Sequence, residues 1–261
     1  MIFVNRMKYI FYLLVIFLPF NLRSQTLDST QKQSQFSADI IFNNNGISRI
    51  PSLSLMKPAA QFNLFYMHNR WIIDPQFFFS AELKPWINNY WVHYKLVDQP
   101  TWNVVGGGSL MVTYKTSAIA INNVSQNRLL ASRYLDLDVL ATRKLNAHWS
   151  IAAYYMMAKG LEEGSFNQLH FFALNMPLNG VQVGNGFQLK ATLQLYYLQQ
   201  GDMSGYYFST TAGVRKPGRA LGLFGMFNFP FQTNFVPDNG FIWSLGLNCV
   251  LGGKYLKKKA I

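Results

Sequence analysis

Residues 188–198 read QLKATLQLYYL, and their parity decides the fold class. Leu189, Ala191, Leu193, Leu195 and Tyr197 fall on one parity; Gln188, Lys190, Thr192, Gln194 and Tyr196 fall on the other. Side chains of a strand point alternately to opposite faces, so this segment has one apolar face and one polar face. Wound as a helix, it would gather Lys190, Leu193, Gln194 and Tyr197 on one side, and no apolar stripe would survive. The segment is a strand. A strand of a soluble sandwich alternates in the same way, so the solvent on the apolar side must be read from the rest of the chain.

Outward from this stretch, the alternation recurs about twelve times after residue 34, and ten to fourteen strands are compatible with it. The segments are 36–42, 61–67, 72–84, 90–96, 102–114, 134–143, 149–158, 168–175, 188–198, 206–215, 221–229 and 241–250. Gly106-Gly107-Gly108 lies inside one of them. No Gly-Lys-Ser/Thr and no helical pattern follow, so it is not a phosphate loop; interior strand glycines mark bends or close backbone approach. The connections HNR, VDQP, KLNAH and KPGR are short and fall on one side, with Met176–Phe187 the exception there. Residues 43–60, 115–133, 159–167 and 230–240 are longer and fall on the other side, where the links after residues 84 and 198 are short. The longest irregular connection is Lys115–Leu130, with room for a strand extension of its own. A short-turn side facing a long-loop side is the transmembrane-barrel arrangement.

Composition agrees. Half of the 261 residues are hydrophobic and 16% aromatic, while 13% are charged, against roughly 25% in a soluble domain. The one long apolar run is at the N-terminus: Arg6 and Lys8, then Tyr9–Phe20, then Leu22-Arg23-Ser24 before Gln25, the layout of a signal peptide. Pro19, Asn21 and Arg23 stop that run short of the roughly 20 residues a membrane helix needs. No Cys stands near the cleavage site, which argues against a lipoprotein anchor. The expected division is a signal peptide at 1–24, a periplasmic leader at 25–34, a transmembrane β-barrel at 35–252 and a basic periplasmic tail at 253–261. The net charge of +12 includes Lys257-Lys258-Lys259. In a secreted, aromatic-rich chain such a surplus reads as solvated ends near anionic headgroups or solutes, and nucleic acid is not expected. The single Cys249 excludes an internal disulfide framework.

An all-β, single-domain, up-and-down antiparallel barrel of about twelve strands follows. The apolar parity carries aromatics near strand ends, among them Phe36, Phe42, Trp149, Phe229, Phe241 and Trp243. In lipid only a closed sheet satisfies every backbone group. Two stacked layers hiding Leu193, Leu137 and Leu245, or an open sheet, would contradict this. The signal peptide ending Ser24-Gln25, the hairpin YLDLDVLATRKLNAHWSIAAYYM and the tail GLNCVLGGKYLKK resemble outer-membrane β-barrel proteins of the Bacteroidota type. The chain departs from many outer-membrane proteins in lacking a terminal Phe. The resemblance implies a fold and an outer-membrane location, and no particular solute.

With the polar parity turned inward, the expected lumen lining is Asp39, Glu82, Lys84, His93, Lys95, Lys115, Asp136, Asp138, His170, Lys190 and Arg215. Buried charge of both signs requires water or mutual pairing, so these residues either set selectivity or brace a filled barrel. Asp136 and Asp138 share one strand face, but one strand rarely supplies the roughly 6–8 oxygens of a Ca²⁺ site. No histidine pair has metal-ligand spacing, and no metal or cofactor is expected. The expected function is porin-like passage or binding of small polar solutes, with outer-membrane lipid around the barrel and residues 115–130 as filter. A second reading is a non-conducting anchor that meets periplasmic or secretion-complex proteins. A third is a hydrolase with His93 or His170 as base and Ser80 or Ser209 as nucleophile, although nothing in the sequence brings them together; no enzymatic activity is expected.

Overall fold

The computed structural model describes residues 33–121, 124–163, 165–235 and 240–256. The expected signal peptide, most of the expected leader and the tail beyond residue 256 lie outside the described residues. The strands are β1 (Gln33–Asn43), β2 (Ala59–His68), β3 (Trp71–Ser80), β4 (Pro85–Asp98), β5 (Trp102–Ile121) and β6 (Val124–Lys144). They continue as β7 (Ser150–Gly160), β8 (Leu169–Val183), β9 (Phe187–Gln200), β10 (Met203–Arg215), β11 (Leu221–Thr233) and β12 (Ile242–Leu256). Each pairs antiparallel with its neighbours in sequence, and β12 pairs with β1 from Gln33↔Leu256 to Asn43↔Gly246. The result is a closed barrel.

Burial is inverted relative to a soluble domain. On β9, Leu193 and Leu195 are exposed, while Gln194, Tyr196 and Leu198 are buried. Leu137 and Leu245 are likewise exposed, at 51% and 49%. The apolar parity faces outward over the whole wall, and buried polar side chains such as Asn175, Gln194, Ser209, Asn228 and Ser244 face inward. Lipid is the solvent that makes such an outer face stable, because the closed ladder leaves no strand edge unpaired.

The strands run past the sequence reading in three places. β8 continues to Val183 through a bulge between Leu178 and Val181, so the apparent long link 176–187 is only the turn 184–186. Lys115–Leu130 is not a loop: β5 and β6 form a ribbon that pairs only with itself beyond Thr113 and Tyr134, where pairing to β4 and β7 stops. The sheet also extends to Gln33 and Leu256, past the expected bounds of 35 and 252.

One connection turns inward. Residues 44–58, which include a single 3-10 turn at Pro51–Leu53, place Ile47 and Ile50 inside the barrel. Ile50 packs in a cluster with Leu169, Phe171, Tyr196, Leu198, Tyr207 and Phe235, and Leu53 lies against it. Leu53 and Leu55 also meet Trp86, Ile87, Met111 and Tyr134, and Ile47 meets Met226 and Ile242. Phe166, from the connection between β7 and β8, stacks on Tyr134 at 4.3 Å. These groups fill the end of the barrel from which residues 44–58 emerge, termed here the loop end. Burying each large side chain contributes about 1.5–3 kcal/mol. Towards the opposite, turn end the inward residues lose this cover: along β9, Leu198 is fully buried, Thr192 is half-buried and Lys190 is exposed.

Candidate functional site

The site is the lumen beneath the in-folded connection. A cavity of ≈ 500 Å³ lies there, walled by Ile47, Arg49, Ile50 and Leu53 from the connection and by inward residues of most strands. Amides dominate its polar lining: Asn43, Gln61, Asn63, Gln76, Asn89 and Gln194. Phe78, Trp86, Trp91, Tyr154 and Phe171 supply rings. Arg49 and Asp136 are the two charged residues on the wall. Such a surface binds polar solutes through a few directed groups set among apolar ones.

Three side-chain hydrogen bonds hold residues 49–53, the middle of the connection, against the wall. Trp86 Nε1 donates to the Leu53 carbonyl at 2.8 Å, and Ser52 Oγ donates to Gln200 Oε1 at 2.8 Å. The Tyr196 hydroxyl lies 2.9 Å from both the Arg49 carbonyl and Asn228 Oδ1. It has one proton for these two acceptors, so a turned Asn228 amide that donates to the hydroxyl completes the set. Tyr196 is itself clamped between Phe171 and Tyr207, stacked at 4.8 Å on each side.

Seven of the residues expected in the lumen are on the inward parity within the barrel wall. Asp136 is 2% exposed and lines the cavity. Asp138 Oδ2 accepts from His93 Nε2 at 3.1 Å and from the Tyr154 hydroxyl at 3.2 Å. His93 stacks on Trp91 at 5.1 Å. Asp39 lies beside Asn248, within electrostatic reach of Arg215. Lys95 pairs with Asp98 at 3.1 Å near the turn end, and Lys190 sits opposite Gly213, on the parity of Gln194.

Four are elsewhere. β3 stops at Ser80, and a turn with Leu83 at φ 60° carries Glu82 and Lys84 out of the wall, where they face each other at 3.7 Å in full exposure. Lys115 keeps the inward parity but stands on the projecting ribbon, past the last pairing of β5 with β4. His170 is on the outer face: Leu169 and Phe171 are the buried neighbours, and His170 Nδ1 is 2.8 Å from the outward Tyr155 hydroxyl.

Two interior charges were not among those expected. Asp74 is on the inward parity of Gln76 and Phe78, with Gln76 Nε2 donating to its carboxylate at 3.1 Å. Carrying that parity two residues back across Pro75 finds it. Arg49 has no such signal, since it belongs to a connection with no repeat. Its side chain is exposed and lines the cavity.

The hydrolase pairs do not assemble. His93 and His170 are on opposite faces of the wall, Ser209 Oγ is turned to the Phe227 carbonyl, and Ser80 Oγ accepts from the Lys84 amide. Among the described residues no cluster of three or more His, Cys, Asp or Glu is arranged to hold a metal ion.

No protein-family model and no curated protein matches the chain. Solved structures do. The chain is similar to the KdgM porin in complex with disordered oligogalacturonate, with TM-score 0.50 and 8% identity over 82% of this chain and 98% of that one. A more distant similarity is to the COG4313 outer membrane channel from Pseudomonas putida F1, with TM-score 0.43 and 12% identity over 85% of this chain and 95% of that one. At these identities the likeness concerns the barrel fold.

Proposed function

We propose that the protein is an outer-membrane, porin-like channel for small polar solutes, closed at its loop end by residues 44–58. The observation that carries this reading is the polar cavity directly beneath the in-folded connection, continuous in parity with the accessible Lys190 and Arg215 towards the turn end. A narrow barrel of about eight strands is filled by its side chains, whereas this twelve-strand one keeps an amide-lined space. The short-turn end is assigned to the periplasm, as in other outer-membrane barrels. The filter is the 44–58 connection together with Arg49, Asp74, Asp136 and Asp138, and the ribbon at 115–130 stands clear of it. The Bacteroidota-type likeness rests on sequence pattern, and the signal peptide at 1–24 supplies export.

Single-channel recording in a planar bilayer tests this. The folded protein should show small or intermittent current, and shortening residues 46–56 to a Gly-Ser turn should give steady openings. A second reading, a non-conducting anchor for an envelope complex, is favoured by the apolar seal of Ile50, Phe171, Leu198 and Phe235. Absence of current from both proteins would select it.

A further inference from the structure

We propose that the cavity beneath the 44–58 connection binds small zwitterionic solutes, Asp136 taking an ammonium group and Arg49 a carboxylate. This rests on the channel reading and narrows its solute class.

Asp136 lines the cavity at 2% exposure, and its Oδ1 has no hydrogen-bond partner in the protein. Asp138, two residues along the same face, also has an unpartnered Oδ1, but its Oδ2 accepts from both His93 and Tyr154, whereas no side chain among the described residues donates to Asp136. A buried carboxyl group stays ionised only when a donor or counter-charge meets it. Arg49 opens onto the same cavity, and none of the ion pairs among the described residues includes it.

Two opposite charges sharing a poorly screened space attract strongly and close on each other when free to do so. Here both backbones are anchored. The Arg49 backbone is held by the Tyr196 hydroxyl, and Asp136 belongs to the wall strand β6. Tyr154 lies within electrostatic reach of both. A solute with one charge leaves the other residue unmet; a solute with both satisfies the pair. The Trp91 ring on the cavity wall suits an ammonium group. Asn89 and Gln194 line the same cavity, and each has a buried carbonyl oxygen without a protein donor.

The test is a tryptophan-fluorescence titration of the full-length barrel, folded in detergent, with glycylglycine, N-acetylglycylglycine, glycylglycinamide and sucrose. Glycylglycine should bind about ten- to a hundred-fold more tightly than either blocked form, the worth of one charge-assisted hydrogen bond. Asp136→Asn should erase its advantage over the acetylated form, and Arg49→Gln its advantage over the amide. Equal binding of all three peptides, sucrose binding as tightly as glycylglycine, no binding of any, or preferences that survive in both variants would overturn the proposal. Conductance without a zwitterion preference removes the site and leaves the channel. Zwitterion binding with no current, even after residues 46–56 are shortened, upholds the site and removes the channel.

Discussion

Gly107 shows how closely single residues are fitted inside the wall. A Cβ there would lie 2.4 Å from the His93 ring and 2.5 Å from the Val92 carbonyl. The ring cannot swing aside, because Trp91 stacks on it and Asp138 bonds to it. Gly107→Val is therefore expected to cost about 1–3 kcal/mol, read as a lower urea midpoint for unfolding from lipid vesicles. Tyr196→Phe removes the hydroxyl from the Arg49 carbonyl but keeps the ring stack, so it should raise channel open probability with the unfolding midpoint nearly unchanged. Parity made most of the lumen legible at this scale, and its misplacements have physical causes. Around His170 both parities are apolar, because Leu169, Phe171 and Ala173 belong to the sealed end of the lumen while Phe172 and Leu174 face outward. There the one polar residue pointed to the wrong face. Arg49 was illegible, since only tertiary folding of a non-repeating connection brings it into the barrel.

Among the elements, the connections were harder to read than the strands. The segment 115–130 lacks clear alternation and reads as an irregular connection with room for a strand extension; it is that extension throughout, pairing residue for residue up to Ile121↔Val124. The described side chains at 115–118 and 125–133 are mostly exposed on both faces, so no apolar parity is required there. Deleting residues 116–129 should leave conductance and urea stability unchanged; a large change in either would return the filter to this ribbon. The connection between β7 and β8 carries a pH-dependent fastening. Glu162 accepts from the Arg133 amide at 2.6 Å and from its guanidinium, and these bonds hold its carboxyl below the usual carboxylate range. A depressed folded-state value means the fastening is fully present above the unfolded value and is lost as pH falls through the folded one. Exchange of the Arg133 amide should therefore quicken on acidification below about pH 4, after correction for intrinsic rates, and Glu162→Gln should abolish that step.

For the whole molecule, the closed twelve-strand ladder turns the ordinary rule of burial inside out: leucines outside, amides and aspartates within. A lipid-facing charge is costly near the bilayer midplane, so Leu193→Arg should destabilise the barrel by about 2–4 kcal/mol in vesicles. This organisation was present in the alternation of residues 188–198 and its repeats, because lipid on one side and polar groups on the other impose period two on every strand. The seal at the loop end was not, since it arises where three connections meet side chains far away in sequence. The most direct measurement is spin-label accessibility along β9, with single cysteines at residues 193 to 196 in a Cys249→Ala background in lipid vesicles. Positions 193 and 195 should be reached by oxygen dissolved in the bilayer, and 194 and 196 should be shielded from it. Loss of that alternation, or oxygen reaching 194 and 196 instead, would contradict the account.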